Sequence, residues 1–600
     1  MGRNENRKSS NNRSSATATV HPYTFIPLQS RRKVAPTADV ELLSGVVRCD
    51  LTAKTEIAVP DMQLDDGSFP FFRVDGVPTI PGSAIRGVVR SVYETLTDSC
   101  VRTNEGHFHA RSSEPKKAGL LTWDGEHYYL CPAERYRIVD TCDTSKYSIG
   151  EEVAFEASAS KGKSSNWARP GEGGRKGFFL EVNRFETRKR GAKPTRSHAS
   201  IFEKKFNESP LLVDDRSIQC FKENIDLYDL ETGADGKGTQ KKVGRLYKEA
   251  FFQVKNSGLV LPVWYEKTDD GFRFAPSQLS RGVFAIGPLN FIETVGLAPC
   301  ETVEDCCPAC ELFGFVSAGA ARPSKVRFGD ARCVSGAEID RVSLSALMEP
   351  KMSSFEFYLR NDRMTHSFNP DDSDTVLSGR KMYWHSQKGL KGASQLSCRD
   401  DLGGTYEAIK PGARFGFSIF FDEVTPDQLN NLLFALNMGE IWSGDDSYCV
   451  KIGHGKPLGL GSAHISVEEV FLRKYENSEY EVKNALDWKQ LEACVLGRLS
   501  HVDTLKAVMN FEAVPSEKVI AYPSINGDGL AWYRENRKVD KKESGKEGGK
   551  KCPYKEVLEV DGRYGYRTED VFAHNVQSFG EKKKSGEVDS RLAKLSEFKF

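Results

Sequence analysis

From Val47 to Val59 the chain alternates. Val47, Cys49, Leu51, Ala53, Thr55, Ile57 and Val59 fall on one side, and Arg48, Asp50, Thr52, Lys54 and Glu56 on the other. That is the period of a strand with one buried face. After the Pro81-Gly82 turn the period lengthens, and Ile85, Val88, Val92 and Leu96 recur at helical spacing. Ser83 stands where such a helix takes its N-cap, and Arg86 and Arg90 lie one turn apart on another face. Phe71 to Gly76 predicts a short strand and turn. Ser324 to Ala331 alternates again, as do Phe415, Phe417, Ile419 and Phe421. Thr425-Pro426-Asp427-Gln428 has the capping-box pattern ahead of Leu429, Leu432, Leu433 and Leu436, and Gly439 can end that helix. A glycine-rich loop, Gly453 to Ser462, leads into a last short strand, Ala463 to Val467.

The order strand, helix, strand, strand, helix, strand predicts an α+β fold, with a ferredoxin-like core carrying two long insertions and a C-terminal extension. The core occupies 39–99, 300–331 and 413–470. Residues 100–299 form a large insertion, 332–412 a second one, and 471–600 the extension. The arm 1–38 reads as largely disordered, with the apolar piece His21 to Leu28 docking on the body. Within the first insertion Ala118 to Ile138 is strand-rich, whereas 156–176 and 230–245, rich in Gly, Ser, Lys and Asp, read as mobile loops. Arg184 to Lys205 is markedly basic, and Arg537 to Lys555 reads as exposed and disordered.

At 600 residues the chain can bury a large core. Its formal net charge of zero argues against whole-surface electrostatic binding of nucleic acid and leaves room for local basic patches. No apolar run is long enough for a membrane span, and the N-terminus has no signal-peptide pattern. The 14 cysteines then read as reduced thiols plus one metal site, which implies a cytoplasmic protein.

Three features carry candidate chemistry. The N-terminus of the first helix, with Arg86 and Arg90 beside it, suits a phosphate backbone, the alternative being a packing helix with solvated arginines. The loop around His454, Gly455, Lys456, Gly459 and Gly461 allows close backbone approach, and successive N–H groups with Lys456 can cradle phosphate. Cys307-x-x-Cys310 with Cys300 has the spacing of a structural zinc site, or of buried thiols packing near Leu312 and Phe313. A fourth ligand is missing locally unless Cys306 serves. In the second insertion Arg380, Lys381, Tyr383 and Trp384 combine cations with rings, as stacking on single-stranded bases requires, or as an ordinary strand with a packed aromatic face would.

Taken together, Ile80 to Leu96, Cys307 to Gly314, Ser324 to Ala331, Gly379 to His385 and Gly453 to Ser462 resemble the RAMP superfamily of CRISPR-associated proteins. The likeness is to the backbone RNA-binding subunits of type III effector complexes, and in particular to their larger, inserted relatives. It implies an RRM-like core that grips guide RNA through Ser83, Arg86, Arg90 and the glycine-rich loop, and a thumb at about 345–405. It also implies side-by-side assembly with other effector subunits, target single-stranded RNA as a further partner, and no membrane. Several members cut target RNA with an aspartate in the loop after the first strand, a position matched here by Asp61 and next by Asp65. Two readings follow: a guide-RNA-holding subunit, or a metal-dependent endoribonuclease using Asp61 and a divalent cation. A guide-processing nuclease with His454 as general base is a third.

Overall fold

The computed structural model describes residues 19–522 with interruptions, the longer of them at 35–39, 103–107, 112–115, 160–165, 185–196, 231–238, 348–351, 353–357, 362–374, 395–402 and 485–499. The arm 1–18, most of the basic run 184–205 and the lysine-rich 537–555 therefore lie outside the described residues.

The alternation after Val47 builds strand β1, Leu43–Ala53, with Val47, Cys49, Leu51 and Ala53 buried and Arg48 exposed. It ends six residues before Val59. Beyond Ala53 the backbone is held by isolated bridges, Ile57 to Ile409 and Ala58 to His454. Helix α1, Gly82–Leu96, buries Ile85, Val89, Val92, Tyr93 and Leu96, while the expected Val88 falls to its flank. Strands β2, Ala331–Ser335, and β3, Arg414–Val424, follow. Helix α2, Pro426–Asn437, starts as the sequence indicates: Thr425 and Gln428 cap each other, at 3.2 and 3.0 Å. Met438 ends it in the left-handed conformation, immediately before Gly439. Strand β4 is Ser462–Glu476.

These strands lie in the order β4-β1-β3-β2, antiparallel throughout, with Val326–Phe328 also paired to β3. One face is apolar. Val47, Leu51, Phe415, Ile419 and Ile465 share a core with Ile85, Val89, Leu429 and Leu433 of the two helices. The fold is mixed α+β with more strand than helix.

The start of α1 differs from expectation. Pro81 is its N-cap, Ser83 is exposed and makes no capping bond, and the Gly82 N–H donates to Asp330 Oδ1 at 2.8 Å. A carboxylate from the 324–331 segment thus already occupies the helix terminus, where a phosphate was expected.

The first insertion has its own sheet and core. Strands Tyr128–Ile138, Ser197–Lys204, Arg175–Arg184, Glu152–Ala159 and Asn166–Pro170 close into a five-stranded barrel filled by Tyr136, Ile138, Phe155, Ala168, Phe179 and Ile201. Lys117–Trp123, Leu261–Thr268 and Gly271–Ala275 extend the sheet beyond the barrel, and helices Asp215–Leu230 and Thr239–Ser257 cover one face. Residues 166–170 are therefore strand and 239–245 helix, not loop.

The second insertion is stitched to the body in its described parts. Arg380–Tyr383 pairs with Tyr23–Ile26, and Ala393–Ser394 with Val519–Ala521. No helix among the described residues is long and apolar enough to cross a membrane.

Candidate metal centre and nucleic-acid interface

Cys100 follows the end of α1. Cys307 N-caps the short helix Pro308–Phe313, which carries Cys310. With Cys300 these residues form a buried group whose four sulfurs all lie within 4.8 Å of one another. Four thiolates around one tetrahedral ion at the usual zinc–sulfur length stand about 3.8 Å apart. The Cys100 and Cys310 sulfurs, at 3.6 Å, already do. The set could therefore hold a metal ion. Metal bound there would supply a cross-link rather than a reactive centre, since all four positions are protein ligands.

Three of the sulfurs accept hydrogen bonds, and within the cluster the shared network lowers the Cys307 and Cys300 thiols while raising those of Cys100 and Cys310. The Cys307 N–H donates to Cys300 Sγ at 3.2 Å and the Cys310 N–H to Cys307 Sγ at 3.4 Å. Arg31 reaches Cys300 Sγ at 3.4 Å and Arg90 reaches Cys310 Sγ at 3.8 Å. Hydrogen bonds from the Cys100, Cys300 and Cys310 thiols drive Cys307 far below the ordinary thiol range. The fourth sulfur is Cys100, which the local spacing did not reveal. Cys306 turns away to Glu311 at 3.3 Å, and burial with that carboxylate raises its thiol to about 12.

The arginines of α1 serve this centre. Arg86 donates to the Phe313 carbonyl at 2.5 Å, and Arg90 pairs with Glu94 at 2.7 Å and donates to the Gly314 carbonyl at 3.2 Å. Both guanidiniums also lie over the Phe313 ring. Their hydrogen bonds are directed inward, to the cysteine-bearing helix. The Arg380–Trp384 run is likewise internal. Arg380 donates to the Ser99 carbonyl, and Lys381 sits 4.1 Å over Tyr23, where burial lowers its ammonium to about 8. Tyr383 packs edge-on against Tyr23, and Trp384, 0% exposed, has no face open to a base.

The glycine-rich loop is built differently. Gly453, Gly455, Gly459 and Gly461 all have positive φ, between 73 and 89°. At Gly461 a Cβ would stand 2.0 Å from the Ile452 carbonyl oxygen, so only glycine fits. Beneath the loop lies Lys451, which the sequence reading overlooked. Its ammonium donates to the carbonyls of Leu460 at 2.8 Å and Gly459 at 3.3 Å, and burial lowers it to about 7. His385 Nδ1 meets Ser462 Oγ at 2.9 Å beside it. Within the loop the N–H groups of Leu458, Gly459 and Leu460 donate to the Gly455 and Lys456 carbonyls and that of Gly461 donates to the Glu56 carbonyl, leaving those of Gly455 and Lys456 unused by it. Lys456 has no carboxylate partner among the described residues, and burial alone lowers its ammonium.

Tyr406 and Phe69, which the sequence does not single out, join His454 next to the loop. His454 stacks on Tyr406 at 4.7 Å and 25°, and Tyr406 on Phe69 at 4.8 Å and 9°. All three rings are partly exposed. Half-burial lowers the His454 imidazole, which favours a neutral, stacking ring over a cation. Three separate segments thus supply one aromatic platform beside Lys456.

Asp61 lies in the exposed loop next to this platform, its N–H bonded to the Pro70 carbonyl. Its carboxylate accepts the Met62 N–H at 2.8 Å, an ordinary turn contact. Asp66 accepts from Ser68, while Asp65 is exposed. Among the described residues neither Asp61 nor Asp65 belongs to a cluster of three potential metal ligands.

No protein-family model and no curated protein matches this chain. Similar solved structures include a type III-B Cmr-beta complex in its apo state, 11% identical, covering 71% of this chain and 98% of that one, with a TM-score of 0.19. Another is Csc2 of Thermofilum pendens, 10% identical, covering 81% and 92%, with a TM-score of 0.14. A third is a CRISPR RNA-guided surveillance complex in a pre-nicking state, 10% identical, covering 80% and 96%, with a TM-score of 0.20. At these TM-scores the likenesses decide neither fold nor function.

Two outcomes are expected. Protein purified under reducing conditions should contain one metal ion per chain by elemental analysis, and Cys100→Ser should release it and lower the melting temperature. Stoichiometric metal retained in that variant would remove Cys100 from the site. The second concerns Lys451, whose folded value of about 7 lies below the unfolded value of 10.5. At pH 7 and below the fold carries the full cost of the buried ammonium. Between pH 7 and 10.5 the unfolded chain binds more protons than the native one, so stability from this group rises with pH. Denaturant titrations of wild type and Lys451→Met should diverge across that window; a pH-independent difference would contradict the assignment.

Proposed function

We propose that this chain is an RNA-binding subunit of a CRISPR effector complex, one that holds guide RNA and positions target single-stranded RNA beside other subunits. The observation that carries the reading is the Phe69–Tyr406–His454 stack adjoining Lys456 and the glycine-rich loop. Stacked, partly exposed rings accept bases of any sequence, while an ammonium without a carboxylate partner suits a phosphate. Sequence-independent grip is what a guide holder needs.

The β4-β1-β3-β2 order, with α1 and α2 on one face, supports the ferredoxin-like reading of the core. The five motifs resembling the RAMP superfamily fall on that core, on the cysteine centre and on the strand that docks the N-terminal arm. The metal in this reading is zinc, held by Cys100, Cys300, Cys307 and Cys310, because a closed all-sulfur set suits a structural ion. The grip is assigned to Lys456, His454, Tyr406 and Phe69, with Gly455, Gly459 and Gly461 shaping the loop.

Fluorescence anisotropy with labelled oligouridine tests this. Tyr406→Ala and Lys456→Ala should each weaken binding roughly tenfold, the size expected from about 1–3 kcal/mol per stacked base or charge-assisted contact. Lys456→Ala should also flatten the salt dependence, since fewer counterions are released. Unchanged affinity in both folded variants would contradict the assignment.

A further inference from the structure

The insertion's sheet has a face that its helices do not cover. Tyr128 stacks on Phe251 and Phe221 packs on Phe274, so Tyr128, Tyr265 and Phe274 look toward the helices. Arg135, Arg137, Trp264, Glu266 and Arg273 alternate with these along their strands and lie on the opposite side. This is the junction where strand Tyr128–Ile138 leaves the barrel and joins the flat part of the sheet.

Charge and aromatic rings coincide there, with Arg135, Arg137 and Trp167 partly exposed and Trp264, Phe202 and Lys116 buried beneath them. Register pairs Arg137 with Ser200 and with Trp167, and Arg135 with Phe202. Gly119 pairs with Pro132 and Lys117 with Tyr265, a register that continues Lys116 beside Arg135 and Glu266. Arg273 pairs with Glu266. Register thus places Lys116, Arg135, Arg137 and Arg273 in two neighbouring rows with Glu266, from which Lys116 Nζ stands 3.9 Å. Arg135 donates to neutral acceptors, Ser200 Oγ at 3.0 Å and Gln278 Oε1 at 3.5 Å, and no carboxylate among the described residues pairs with it. Its guanidinium lies 5.3 Å over Trp264, and that of Arg137 lies 5.1 Å over Trp167. Burial and the neighbouring Arg137 charge both work against the Arg135 cation, an arrangement that an incoming anion would relieve.

We propose that this junction is a second contact surface for single-stranded RNA. Arg135 and Arg137 hold consecutive parts of the phosphate backbone, and the partly exposed Trp167 ring stacks a base. The inference rests on the RNA-binding reading above and extends it to the insertion, whose barrel and sheet would then be part of the RNA path. Planar guanidiniums backed by indole rings favour nucleic acid over an acidic peptide, which needs cations but no stacking platform.

The test uses the full chain and labelled oligouridine. Arg135→Gln with Arg137→Gln should weaken binding several-fold and make the slope of log affinity against log salt shallower by about 1.4, the loss of two phosphate contacts to a single strand. Photo-cross-linking of wild type to 4-thiouridine-containing RNA should label the 166–170 peptide. That readout decides the matter even if the double variant fails to fold. Wild type that binds no RNA overturns the RNA-binding reading as a whole. Binding that falls with Tyr406→Ala but not with the double arginine variant, with no cross-link at 166–170, overturns this surface alone.

Discussion

Four sulfurs from two distant parts of the chain meet at one buried point, where a bound metal ion would tie those parts together. Cys100 closes the first core helix, Cys300 marks the return from the long insertion, and Cys307 and Cys310 start the helix that leads back to the sheet. A backbone bond from the Val101 N–H to the Leu297 carbonyl, 2.9 Å, pins the two crossings beside them. Closing a loop this long costs chain entropy, and a metal ion held from both ends of it would confine the excursion to a defined exit. The core sheet can therefore keep its order although residues 101–299 are folded elsewhere. Arg90, Arg31 and Arg86 belong to the same device, holding sulfur charge and helix carbonyls rather than facing solvent.

A similar division of labour shapes the glycine-rich loop. Lys451 is buried under it and satisfies its inward carbonyls, so the loop's fold does not depend on a ligand. Lys456 and the neighbouring rings are left for the surface. Preorganisation of this kind would let the proposed RNA site bind without first ordering itself. The aromatic platform is rigid for the same reason: Phe69 is held by hydrogen bonds to the 404–409 strand, with its N–H on the Thr405 carbonyl at 2.8 Å.

What the sequence disclosed follows from the range of each interaction. The β1 alternation and the Thr425–Gln428 capping box are local, and both were legible. The arginines of α1 were not, because their acceptors at Phe313 and Gly314 lie across the insertion. Cys100 was invisible to spacing for the same reason. Tyr383 and Trp384 looked like a binding run because composition cannot tell an exposed ring from one covered by Tyr23–Ile26. Phe69 and Tyr406 look ordinary in sequence, and only tertiary contact joins them to His454 as a platform. In the insertion, strand Tyr128–Ile138 is as long as β1 but is buried on both faces from Leu130 to Ala133, so the period-two signal fades.

The proposed role requires that this chain hold RNA. Purifying the full chain from cells that transcribe a CRISPR array, and sequencing the nucleic acid that accompanies it, tests that most directly. The account predicts short single-stranded RNA carrying guide sequence, protected from added nuclease. Protein that emerges free of nucleic acid and acquires none when offered guide RNA would contradict it.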